Sequence, residues 1–171
     1  ETLVLAAVIF IGIRQFVLQF KIEGSSMSPT LENGQYVLVN RLSYRLLGDP
    51  DRGDIIVFEA WNSGKDYIKR VIGLPGQRVE VRDGTVSIDG MPLDEAYLHA
   101  TNTTGQSSVT LGPDEYFVMG DNRDNSQDSR VSGALSREKI IGKAWVIYWP
   151  LHSISVIPDS SQDRPLQAGA G

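Results

Sequence analysis

The spacing of apolar and polar positions divides this chain into an apolar start and a body of short, strand-length runs. Leu3 to Ile13 is broken only by Gly12, and Phe16, Val17, Leu18 and Phe20 follow Arg14. The run is short for a membrane span, and its length also suits a signal-peptide core or a buried helix. A cleavable signal peptide ends in a small-x-small site. Arg14 to Phe20 holds no small residue, so an uncleaved transmembrane anchor over residues 1–20 is expected. Arg14 is costly at mid-bilayer, but its long stem can snorkel to an interface. The chain opens at Glu1 without Met. Upstream residues are therefore expected, and with them the basic residues that set orientation.

From Gln35 the pattern is β. Tyr36 to Val39, Asp54 to Phe58 and Tyr67 to Ile72 are three apolar runs separated by Gly/Pro/Asp-rich turns. Val79, Val81, Val86 and Ile88 then alternate with polar residues around Asp83-Gly84. This is a two-residue hairpin signal that sets Val81 beside Val86 and Val79 beside Ile88. Glu115 to Met119 and Lys143 to Trp149 complete the strands, and one short helix is expected from Ser136 to Ile140, with Ser136 as N-cap. The pattern predicts a mainly β protein. A polar loop runs from Thr101 to Ser108, and a polar tail, expected to be disordered beyond Ile157, follows Pro150.

Three stretches break the pattern. Residues 24–31, Gly24-Ser25-Ser26-Met27-Ser28-Pro29-Thr30-Leu31, put small hydroxyl residues directly after the apolar segment. Pro29 cannot sit inside a regular strand, and Gly24 permits close backbone approach. The stretch reads as a Ser-rich turn or as the seat of a nucleophile. Lys69 lies in the middle of an apolar strand beside Arg70. The two face opposite sides, so one points with the apolar set or into a site. An edge lysine that blocks aggregation is one reading. A desolvated lysine with a lowered pKa, able to act as a base, is the other. The third stretch is the polar run from Gly120 to Arg130. It fails the calcium-loop template: counted from Asp124, Ser129 stands where Gly is needed and Leu135 where Glu is needed. It reads instead as a hydrogen-bonded scaffold, with Asp128 and Arg130 paired to hold a loop that aims a hydroxyl.

Composition narrows the chemistry. The 171 residues carry net charge −5, with no basic footprint for nucleic acid. The absence of cysteine excludes thiolate catalysis, thiolate metal sites and disulfides. His99 and His152 are the only histidines, too few for a histidine-rich metal site. No metal and no cofactor is expected.

Together, residues 24–31, Arg52 to Phe58, Tyr67 to Gly76 and Gly120 to Arg130 resemble the motifs of the bacterial type I signal peptidases, in that family's order and behind an anchor. The resemblance implies a membrane-anchored Ser/Lys endopeptidase that removes signal peptides from exported preproteins, cutting after small-x-small sites. Ser26 would be the nucleophile and Lys69 the general base. Ser126 would orient the lysine amine, with Asp128 and Arg130 in support. Phe20, Ile22, Met27, Leu31, Tyr67 and Ile68 would line shallow substrate pockets. The implied fold is an antiparallel, barrel-like β core (residues 21–77 and 113–150) with a small β insertion (residues 78–112), on the outer face of the bacterial cytoplasmic membrane. The implied partners are preprotein signal peptides and the lipid bilayer. Two other readings stand beside it. A self-cleaving Ser/Lys repressor of the same fold is disfavoured, because the apolar start occupies the place of its DNA-binding domain. A catalytically silent, membrane-tethered β module would make Ser26 and Lys69 dispensable.

Overall fold

A computed structural model describes residues 16–46, 48–98 and 103–158. Its regular structure is almost wholly antiparallel strand. Strands β1 (Val17–Lys21), β2 (Tyr36–Asn40), β3 (Ile55–Glu59), β4 (Asp66–Gly73), β9 (Glu115–Met119), β10 (Leu135–Ser136), β11 (Ile140–Trp149) and β12 (Ser155–Val156) form one eight-stranded sheet. Its order is β1-β2-β11-β3-β4-β9-β10, with β12 added to β11. Among the described residues β1 and β10 are the ends of this path. Strands β5 (Arg78–Arg82), β6 (Thr85–Ile88), β7 (Met91–Pro92) and β8 (Ser107–Thr110) form a second sheet, ordered β7-β6-β5-β8. The hairpin pairs Val81 with Val86 and Val79 with Ile88, the register that alternation predicts.

The two sheets share a core. Val79, Val81, Val86 and Ile88 pack with Ile72, Phe117 and Met119 of the large sheet. At Gly73, a Cβ would lie 2.4 Å from Val79, so only glycine lets the second sheet close down there. A second cluster joins Ile22, Met27 and Leu31 to Val37, Val39, Ile55 and Val57, behind the Ser-rich turn.

Two expectations need correction. The anchor does not reach residue 20: Val17–Lys21 is a strand paired antiparallel with β2. Its apolar residues read as a continuation of the preceding run, yet Leu18 and Phe20 pack on the core. Residues 1–15 lie outside the described residues, and no helix among the described residues is long and apolar enough to cross a membrane. The helix expected from Ser136 is a single 3₁₀ turn, Arg137–Lys139, and Ser136 makes no side-chain cap. Two short helices went unread, α1 (Ser43–Leu46) and α2 (Ser129–Ser132).

Candidate active site

The Ser-rich stretch is a turn between β1 and β2. Gly24 takes φ +89°, a left-handed conformation that suits glycine, and its N–H donates to Asn33 Oδ1. Ser28 N–H returns to Ser25 O, and Leu31 N–H to Met27 O. This winding turns Met27 and Leu31 inward and leaves Ser26 at the surface of a cleft.

Lys69 comes from β4, where the chain runs from an exposed beginning into the core. Its Nζ lies 2.7 Å from Ser26 Oγ and donates to Ile68 O at 2.9 Å. The Tyr67 ring centroid is 5.3 Å away. Burial pushes the ammonium down from 10.5 to about 8, against the opposing pull of the Asp128 and Asp121 carboxylates. Of the two readings of this residue, the structure selects the desolvated lysine.

Arg70 faces the other way and is also buried. Its Nε and Nη2 hold Asp121 at 2.9 and 2.7 Å, and its Nη1 reaches Gly53 O. Asp121 in turn accepts from Thr30 Oγ1, four residues beyond Ser26. The Arg52-Gly53-Asp54 stretch therefore supports the site from below. Tyr44 donates to Asp54 at 2.7 Å and Lys143 pairs with it at 2.6 Å.

The polar loop grips the Ser-rich turn, mainly by its backbone. Asn122 N–H donates to Ser26 O, Asn122 Nδ2 to Ser25 O, and Asn125 Nδ2 to Ser25 Oγ. Gly120 sits where nothing larger fits: a Cβ would lie 2.4 Å from Ser26 O and 2.2 Å from Ser126 Oγ. Asp128 accepts Gly120 N–H, caps α2 through Arg130 N–H and is held by the Arg130 guanidinium. Burial alone would raise its carboxyl, but Arg130 and the Gly120 N–H hold it below the usual carboxylate range. Arg130 also donates to Thr104 O.

Of the expected site residues, Ser26 and Lys69 meet, and Asp128 pairs with Arg130. Ser126 is beside Gly120 and its buried hydroxyl helps hold the Asp128 carboxyl down, while the Lys69 amine bonds to Ser26 and Ile68. Phe20, Ile22, Tyr67 and Ile68 line a cleft of about 370 Å³ next to Ser26 and Lys69. Met27 and Leu31 do not line it, since the turn packs them into the core. Lys21, Glu23 and Asp66, which fall in the segments Phe20 to Gly24 and Asp66 to Ile68 that the resemblance implies would pair with a substrate strand, border the cleft, as do Lys65 and Gln127, which sequence reasoning missed. Missed too were Thr30, Arg70, Asp121, Asn122 and Arg123. The signal available for them was only that Arg70 follows Lys69 and that the other loop residues fall in the same polar run.

The cleft has strand edges on both sides. Among the described residues β1 pairs only with β2. β4 pairs with β3 along Asp66 to Arg70 but meets β9 only at Arg70, Val71 and Gly73. The backbone of Asp66 to Lys69 is thus open toward the cleft, opposite Phe20 to Glu23. Among the described residues, no group of acidic or histidine side chains could hold a metal.

Residues 1–149 match the family described as signal peptidase, peptidase S26. The chain is 41% identical to a probable signal peptidase I-2 of Synechocystis sp., over 98% of this chain and 79% of that protein. It is 40% identical to a signal peptidase I of Leptolyngbya laminosa, over 90% of this chain and 80% of that protein. A crystal structure of a signal peptidase I from Enterococcus faecalis V583 superposes with a TM-score of 0.52 at 37% identity, covering 56% of this chain and 96% of that one. The match runs through the nucleophile turn, the lysine strand and the polar loop alike, and the chain belongs to the signal peptidase family, peptidase S26.

Proposed function

We propose that this chain is a membrane-anchored serine endopeptidase that cuts signal peptides from exported preproteins through a Ser26/Lys69 dyad. The observation that carries the reading is the 2.7 Å approach of Lys69 Nζ to Ser26 Oγ, in a site where burial favours the neutral amine. Neutral Lys69 takes the Ser26 proton as Oγ attacks the scissile carbonyl. The tetrahedral intermediate collapses, the C–N bond breaks, and the lysine ammonium passes its proton to the leaving amine. Water then attacks the acyl-enzyme, giving its proton to Lys69, and Ser26 leaves as the alcohol. Ser126 steadies the amine as the substrate closes the site, and Asp128 and Arg130 hold the loop that carries it.

The developing oxyanion needs donors. Ser26 N–H is the first. Ser25 is not the second, since adjacent side chains on extended backbone face opposite sides and its Oγ accepts from Asn125 Nδ2 of the polar loop, and Gly24 leaves open space in which a backbone N–H or water serves. The substrate enters as a strand between the open edges of β1 and β4. The apolar side chains beside Ser26 then take the small residue before the cut. The apolar run ahead of Phe16 supplies the anchor, and the catalytic sheet lies on the outer face of the membrane.

Cleavage of a model preprotein is the test. Ser26→Ala, Lys69→Ala and the double variant should each lose activity by roughly ten-thousandfold, to similar extents, because groups that act as a unit do not lose additively. Lys69→Arg should fail as well, since a guanidinium does not deprotonate. Robust cleavage by Lys69→Ala would sink the mechanism.

A further inference from the structure

Catalysis by the dyad leaves the second sheet without a task. The chain leaving β7 does not stay with that sheet. Leu93 anchors in the shared core, and residues 94–98 then run to the polar loop. Glu95 grips Arg123, accepting from Nη1 at 3.0 Å and also from Nη2. Tyr97 OH donates to Glu95 at 2.8 Å and accepts from Arg123 Nη2 at 3.2 Å. Thr103 Oγ1 accepts from Nη1 at 2.6 Å, and Gly120 O accepts from Nε at 3.0 Å. Each of the five N–H donors of Arg123 is thereby satisfied. Only one of them points to the catalytic loop itself, and the rest end on the segment that belongs to the second sheet.

Two routes lead from this cluster to the dyad. Along the first, Glu95 fixes Arg123 and Arg123 fixes the carbonyl of Gly120. Gly120 leaves no room for a Cβ beside Ser26 O and Ser126 Oγ, so its backbone sits against both. Along the second, the Tyr97 ring lies 4.0 Å from the Arg70 guanidinium carbon. Arg70 follows Lys69 directly in β4, and through Asp121 it holds Thr30 of the nucleophile turn. One turn, closed by Leu98 N–H on Glu95 O, thus touches the supports of both members of the pair.

We propose that Glu95 and Tyr97 are positioning residues for the Ser26–Lys69 pair, through which the second sheet holds the catalytic loop in its working geometry. The proposal rests on the Ser/Lys reading. It assigns the insertion a part in the chemical step rather than in substrate capture. Glu95 and Tyr97 do not line the cleft, whose walls are β1 and the start of β4. Loss of their contacts should therefore lower kcat and spare KM. A misplacement of about 1 Å at a reacting pair can cost on the order of a hundredfold in rate.

The experiment compares the detergent-solubilised full chain with Glu95→Gln, Tyr97→Leu and Tyr97→Phe on a model preprotein, with Ser26→Ala as control. Rates are expressed per folded molecule, from thermal unfolding of each variant. Glu95→Gln removes the charge from Arg123, and Tyr97→Leu removes the ring from Arg70. Each should lower kcat by about tenfold or more with KM held within about threefold. Tyr97→Phe keeps the ring and should recover most of the rate that Tyr97→Leu loses. Where Glu95→Gln does not fold, Tyr97→Leu carries the test, since it unpairs no charge. An unchanged kcat per folded molecule, or an effect confined to KM, overturns the proposal and reduces the cluster to a brace for the insertion. An inactive wild-type chain, or an active Ser26→Ala, would instead overturn the Ser/Lys reading beneath it.

Discussion

At the scale of single residues, the chemistry turns on one amine. Burial lowers Lys69 to about 8, and Asp128 and Asp121 keep it from falling further. A general base works only when deprotonated, so kcat/KM should rise with pH and level off, with a midpoint near 8. A rate unchanged between about pH 6 and 10 would count against Lys69 as the base, because an unperturbed lysine titrates near 10.4. The same shift appears in stability. Between about 8 and 10.5 the unfolded chain holds a proton that the folded chain has released. The contribution of this group to stability is therefore least below 8 and grows as pH rises through that window. The pattern marked the Ser-rich turn and Lys69 as anomalies, and the family resemblance singled out Ser26 and Lys69 within them. Their supports were not legible. Arg70 finds Asp121 across 51 residues, and Arg123 finds Glu95 across 28. A charged residue in a sequence carries no mark of whether it will be buried, or against which partner.

At the scale of elements, the readable parts were those whose register is set locally. The β5–β6 hairpin is fixed by alternation and a two-residue turn, and its pairs are the ones that the alternation predicts. β1 was unreadable because Phe16 to Phe20 is apolar enough to extend the run before it, and only pairing with β2 decides that it is a strand. The 3₁₀ turn at Arg137–Lys139 was overread because a good N-cap residue implies a helix only where the chain has room to continue one. β1 and β4 matter most for specificity. Their open edges face the same cleft, so an extended substrate can hydrogen-bond to both while its side chains alternate between the cleft wall and solvent. Phe20, Ile22, Tyr67 and Ile68 put apolar side chains on the cleft wall beside Ser26. Peptides matched except for the residue before the cut should therefore separate. Ala and Gly should be cleaved well, and Phe should fall by more than about tenfold in kcat/KM through steric clash. Efficient cleavage after Phe would remove the small-residue assignment and leave the dyad untouched.

At the scale of the whole molecule, the surface is uneven in a way that bears on where the enzyme works. The chain is acidic, with net charge −5. Yet Trp145, Trp149, Leu151, Ile154 and Val156 are all exposed, within one segment around the end of β11. Trp149 is in register with Tyr36, which pairs with Lys21 at the edge of the cleft, so this apolar end of the sheet lies near the substrate entrance. In water, apolar residues gathered in this way are a liability, whereas against a bilayer they are a contact. An acidic protein gains nothing from anionic headgroups, so the contact should be apolar and persist at high salt. Its task would be to hold the cleft at the depth where a preprotein's cleavage site leaves the membrane. Trp149→Ser combined with Leu151→Ser should then slow cleavage of a vesicle-embedded preprotein by about tenfold or more, since even one well-buried apolar side chain contributes about 1.5–3 kcal/mol. Cleavage of a soluble peptide, which needs no such placement, should be little affected. Equal slowing of both substrates would show that these residues serve the fold and not the membrane, and adding salt should leave the ratio of the two rates where it was.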